Sequence, residues 1–111
     1  MFESSEASNR IWDRIYSTNT YVYRTPHPAV VNLLEFGNLG ANSRILDLGC
    51  GTGRHAVLAA SRGFIVLALD ESSEALRLTA EWLANERLHA ETIEASMSKP
   101  LPIQDLSLIH I

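Results

Sequence analysis

The chain has 111 residues, 46% of them hydrophobic, one cysteine and a formal net charge of −4. This length holds one small core, and a single cysteine excludes an internal disulfide and fits a reducing cytoplasm. There is no basic stripe to bind nucleic acid, no apolar run of membrane length, no signal-peptide pattern at the first residues, and no metal-ligand spacing among His27, His55, His89 and His110.

In chain order, residues 6–17 read as a helix with Ile11, Trp12 and Ile15 on one side. A polar and aromatic connector follows over residues 18–28, with Tyr21 and Tyr23 in it. Pro28 suits the first turn of the next helix, which runs to Phe36 and stops at Gly37. Residues 40–43 make the turn into the first strand.

The segment Arg44-Ile-Leu-Asp-Leu-Gly-Cys-Gly-Thr-Gly53 carries the most chemistry. An apolar strand stops at three glycines in alternate positions, and a helical pattern starts directly behind them. Glycine accepts positive φ and lets a ligand approach bare backbone, while the helix start offers free N–H groups and the positive dipole end. Such a turn suits the polar end of a nucleotide-like cofactor. The dinucleotide pattern Gly-x-Gly-x-x-Gly requires glycine where this chain has Arg54. A pyrophosphate beside Asp47 would also meet like charge, whereas a cofactor bearing an ammonium and a sulfonium would be attracted to that carboxylate.

The helix from Arg54 closes at Gly63, and Phe64-Ile-Val-Leu-Ala-Leu-Asp70 reads as a second strand. Together they form a right-handed βαβ unit. It sets Asp70 at the carboxyl edge of strand two, beside the glycine turn, where a carboxylate can accept from both hydroxyls of a ribose. Ser72 and Ser73 suit the cap of a following amphipathic helix, residues 73–87, with its inward stripe at 76, 79/80 and 83 and Trp82 beside it as packing. Residues 89–95 read as a short third strand.

The string Asp47-x-Gly49-x-Gly51-x-Gly53 resembles motif I of the class I S-adenosylmethionine-dependent methyltransferases, and the resemblance runs from about Trp12 to Asp105. It implies an α/β fold, a Rossmann-like doubly wound sheet, here truncated after strand 3 or 4. It also implies S-adenosyl-L-methionine as cofactor. The cofactor-binding residues it marks are Asp47, Gly49, Cys50, Gly51, Thr52, Gly53, Asp70, Glu71, Ser96 and Met97. Ser96 and Met97 stand in the adenine loop; Ser96 departs from the usual acid and accepts more weakly, and Met97 suits an adenine face. Cys50 has no partnered base and is not a nucleophile candidate. His55 opens the helix after the glycine turn, within reach of the cofactor, and reads as a solvated helix position. Residues 99–105 resemble the Leu-Pro-Phe-x-Asp loop before strand four, but the family's following Phe-Asp is missing.

The resemblance divides the chain into a helical or lid segment (1–40), the cofactor-binding half of the domain (41–105) and residues 106–111. In the lid, Trp12, Tyr16, Tyr21 and Tyr23 would face the acceptor pocket or anchor a packed helix. Leu106 to Ile111 is also the translation of CTG TCT CTT ATA CAC ATC, which resembles a transposase sequencing adapter, so it is expected to be a scar; the alternative is a genuine fourth strand from Ser107. The expected function is methyl transfer by direct displacement to a small-molecule acceptor in the cytoplasm, with no nucleic acid or membrane partner. The general base is not visible in this stretch, and the fragment is expected to be inactive alone. The alternatives are an NAD(P)-dependent oxidoreductase and a non-catalytic Rossmann-like binding module.

Overall fold

Four strands pair as one parallel sheet in the computed structural model, which describes residues 24–40, 42–96 and 109–111. They are β1 (Arg44–Leu48), β2 (Ile65–Asp70), β3 (Glu91–Glu94) and β4 (Ile109–His110), in the order β3-β2-β1-β4. Three helices accompany them: α1 (Pro28–Phe36), α2 (Arg54–Ser61) and α3 (Ser73–Asn85). The expected helix over residues 6–17, the aromatic residues Trp12, Tyr16, Tyr21 and Tyr23, and the loop from Met97 to Asp105 lie outside the described residues. Among the described residues no helix is long and apolar enough to cross a membrane.

Local chemistry sets the element ends. His27 caps α1, its Nδ1 accepting from the Ala29 N–H at 3.0 Å, with Pro28 at the first helical position. Ser72 caps α3 in the same way, its Oγ accepting from Ala75 N–H at 3.0 Å. Both α2 and α3 close with a paired Schellman arrangement. In α2, Gly63 N–H donates to Ala60 O at 3.0 Å and Phe64 N–H to Ala59 O at 3.2 Å. In α3, Arg87 N–H donates to Ala84 O at 3.1 Å and Leu88 N–H to Leu83 O at 2.8 Å. The left-handed residue is Gly63 (φ +87°) in the first and Arg87 (φ +57°) in the second. Arginine carries no such signal in sequence, so the expected helix end at 87 overshoots the observed end at Asn85.

The core forms between one sheet face and the helices. Ile45 of β1 and Val66 and Ala68 of β2 pack with Leu34 of α1, Ala56 and Ala59 of α2 and Leu76 of α3. Alternation turns Leu46, Leu67 and Leu69 to the other face, and Leu46 and Leu69 are fully buried there as well. A parallel strand buried on both faces reads as an unbroken apolar run. Residues 109–111 lie beside β1 as a short fourth strand: Ile45 pairs with Ile109, and Ile111 N–H donates to Leu46 O at 2.9 Å.

Candidate cofactor site

The three glycines behind β1 all adopt left-handed backbone, with φ of +72° at Gly49, +59° at Gly51 and +100° at Gly53. An L side chain there costs roughly 1–2 kcal/mol per position. The turn closes onto the end of β2, because Gly49 N–H and Cys50 N–H both donate to Leu69 O, at 2.8 and 3.0 Å. Register then brings the two acids together: Asp47 pairs with Ala68 on β2, two residues before Asp70.

Asp70 is buried, and each of its carboxylate oxygens already accepts a backbone hydrogen bond. Oδ2 accepts from Gly51 N–H at 2.9 Å and Oδ1 from Ser72 N–H at 2.9 Å. It therefore binds the glycine turn to the N-terminus of α3. A carboxylate has about four lone-pair directions, so capacity for hydroxyl donors is left over.

Asp47 is 3% exposed, and its Oδ2 has no hydrogen-bond partner among the described residues. Burial pushes its carboxyl up to about 7, the charge of Asp70 adds to this, and the Ala56 N–H and Arg54 pull the other way. An orphaned buried carboxylate oxygen is costly unless something cationic or protic meets it. The turn is thus flanked by two acids, which repels phosphate and attracts an ammonium.

Gly53 is needed for a reason beyond φ. A Cβ there would lie 2.9 Å from both Cγ2 and Oγ1 of Thr79 on α3. Gly53→Ala combines backbone strain with overpacking and is expected to destabilise the fold by about 2–4 kcal/mol in chemical denaturation. Gly63→Ala is the control, since its φ is +87° but nothing stands within 4 Å of the added Cβ; it should cost about 1 kcal/mol. Equal losses for the two would remove the packing argument.

The remaining sequence-marked residues take varied positions. Cys50 turns its side chain inward, with Sγ 3.7 Å from Thr79 Oγ1, and burial pushes its thiol up to about 12, so it offers the site backbone only. Thr52 and Glu71 are buried at the turn and at the end of β2. Ala95 N–H donates to Asp70 O at 3.0 Å, which brings the half-buried Ser96 to the same sheet edge. Met97 lies outside the described residues.

Four contacts were not legible in sequence. Thr79, read as part of the inward stripe, donates its hydroxyl to Gly51 O at 3.0 Å. His55, read as solvated, is half-buried and accepts from His27 N–H through Nε2 at 3.0 Å. Arg54 Nη1 donates to Thr25 O at 3.0 Å, so the start of α2 holds residues 25–27. Trp82 packs under the Arg24 guanidinium, 4.7 Å from its ring centre.

A glycine turn at the carboxyl end of a parallel sheet is the geometry of a nucleoside-cofactor site, and here it lies between two acids. Residues 45–111 match the family described as a methyltransferase domain, and the chain belongs to that family. Two curated relatives are a protein of Geobacillus sp. (strain WCH70) named as a methyltransferase and the ribosomal protein L11 methyltransferase of Herpetosiphon aurantiacus. The first is 36% identical over 60% of this chain and 27% of its own length; the second is 43% identical over 65% and 21%. The chain thus spans about a quarter of the length of these relatives.

Two solved structures share the fold. One, described by the conversion of a disulfide bond into a thioacetal group during echinomycin biosynthesis, is 27% identical with a TM-score of 0.71, over 80% of this chain and 39% of that one. The other is the Pyrococcus abyssi tRNA (uracil-54, C5)-methyltransferase in complex with S-adenosyl-L-homocysteine, 26% identical with a TM-score of 0.54, over 69% and 20%. The cofactor of the domain is S-adenosylmethionine.

Proposed function

We propose that this chain is the cofactor-binding half of an enzyme that methylates a small-molecule acceptor by direct displacement. The observation that carries the reading is the buried Oδ2 of Asp47, without a hydrogen-bond partner among the described residues, beside a left-handed glycine turn. It fits the ammonium of S-adenosylmethionine, and a pyrophosphate cofactor would leave it opposed by like charge. The cofactor supplies an electrophilic methyl group on a sulfonium.

The backbone of Gly49, Cys50, Gly51, Thr52 and Gly53 forms the cradle. Asp47 takes the ammonium. Asp70 uses its remaining lone pairs on ribose hydroxyls. Glu71, Ser96 and Met97 border the adenine. The chain contributes alignment of the methyl group, and alignment can lower a barrier by about 7–11 kcal/mol at best. Residues 1–40 act as a lid, which the anchoring of residues 25–27 by Arg54 and His55 supports. A small acceptor in the cytoplasm suits a net charge of −4 and a lone buried cysteine.

The test is calorimetry of the full-length protein with S-adenosylhomocysteine and with NADH. S-adenosylhomocysteine keeps the ammonium, so binding it should ionise Asp47. Because the ligand-free carboxyl sits at about 7, binding near pH 6.5 should release a fraction of a proton, read as a dependence of heat on the buffer's ionisation enthalpy. NADH should not bind. Tight NADH binding without S-adenosylhomocysteine binding would favour the oxidoreductase; binding of neither would favour a non-catalytic module.

A further inference from the structure

We propose that Thr79 is a positioning residue for the cofactor, acting through the carbonyl of Gly51; this rests on the methyltransferase reading above. Gly51 is held at both ends. Its N–H donates to Asp70 Oδ2 at 2.9 Å, and its C=O accepts from Thr79 Oγ1 at 3.0 Å. The first partner ends β2 and the second lies on α3, 28 residues from Gly51. Gly51 has φ +59°, a conformation that glycine leaves easily because mirror-image backbone is as accessible to it. Two fixed partners on separate elements remove that freedom before a ligand arrives, and preorganisation lowers the cost of binding.

Thr79 suits the task. It is fully buried, and as a β-branched residue in a helix its side chain has few rotamers. Its hydroxyl donates to Gly51 O, and the Cys50 Sγ lies 3.7 Å from both Thr79 Oγ1 and Gly51 O. The Cys50 thiol, which burial keeps protonated, thus packs against the same hydroxyl–carbonyl pair, and the Thr79 O–H at 3.0 Å is the shorter contact to Gly51 O. The same side chain fills the space against Gly53. One α3 residue therefore meets positions 50, 51 and 53 of the turn.

The experiment compares Thr79→Val, which keeps the shape and removes the hydroxyl, with Thr79→Ser, which keeps the hydroxyl and removes the methyl. Both are made in the full-length protein. Amide hydrogen exchange at Gly51 is read without ligand, relative to the amides of β1 and β2, and S-adenosylhomocysteine affinity is read by calorimetry. Thr79→Val should speed Gly51 exchange about 10-fold beyond any change in the strands and weaken the ligand about 10-fold, the loss of one hydrogen bond. Thr79→Ser should stay within about threefold of the parent in both. The proposal is overturned if Thr79→Val leaves Gly51 exchange unchanged, if its ligand affinity stays within twofold, or if Thr79→Ser is as damaged as Thr79→Val. If the parent protein binds no S-adenosylhomocysteine, the methyltransferase reading fails, while the exchange data still judge the clamp on Gly51.

Discussion

Asp47→Asn is expected to make the ligand-free protein more stable above pH 7 while weakening S-adenosylhomocysteine binding by roughly 10- to 150-fold. The two effects share a cause. Burial raises the Asp47 carboxyl from 3.8 to about 7, so between those values the folded state holds a proton that the unfolded state has lost. The penalty from this group is absent below about pH 4, grows as pH rises, and is complete above pH 7. A shift of this size corresponds to about 4 kcal/mol. Asparagine removes the charge yet keeps an oxygen for the Ala56 N–H.

His55 titrates in the opposite sense, because burial and the charges of Arg54 and His27 lower its pKa. Acid therefore charges it and disrupts its acceptance from His27 N–H. Subtracting the stability–pH curves of parent and Asp47→Asn cancels His55 and leaves Asp47 alone. A difference curve flat from pH 5 to 8 would remove the buried-charge argument. Adenosine provides the second control, since it has no ammonium and should bind both proteins alike. An equal loss for adenosine would mean that Asp47 acts by holding the start of α2.

Asp70→Ala should cause the largest combined loss. Removing the carboxylate deprives Gly51 N–H and Ser72 N–H of their acceptors, and a buried donor left unpaired costs about 1–3 kcal/mol. The fold is expected to lose about 2–4 kcal/mol in chemical denaturation. Adenosine and S-adenosylhomocysteine should both weaken, roughly 30- to 1000-fold, through lost hydroxyl acceptors and a loosened turn. The pattern differs from that of Asp47→Asn, which spares adenosine and raises stability at high pH. The substitution also removes the charge that helps raise Asp47, so proton release on ligand binding near pH 6.5 should fall. Unchanged stability with lost adenosine binding would restrict Asp70 to ligand contact; unchanged adenosine binding would restrict it to the turn.

Much of this site is legible from short-range pattern. Apolar runs of strand length, glycines at 49, 51 and 53, the cap at Ser72 and the stop at Gly63 each express a preference of a few neighbouring residues, and the observed elements follow them. The βαβ unit then places Asp47 and Asp70 at adjacent strand ends, because parallel pairing of consecutive strands allows little else. The chain's membership of the methyltransferase domain family follows the same motif. Where a helix ended on a left-handed arginine, at Arg87, no local signal marked the end.

Only the packed structure decided which atoms those residues use. Asp70 spends hydrogen bonds on Gly51 and Ser72, Thr79 reaches Gly51 from α3, Cys50 turns inward, and His55 receives His27 N–H from 28 residues away. The third glycine is required because the Thr79 side chain of α3 lies 2.9 Å from where its Cβ would be. Sequence periodicity places a residue on a face but does not state which polar atom waits across the interface. That depends on the register of β1 against β2 and on how α3 crosses the turn, and both are settled by packing over the whole core.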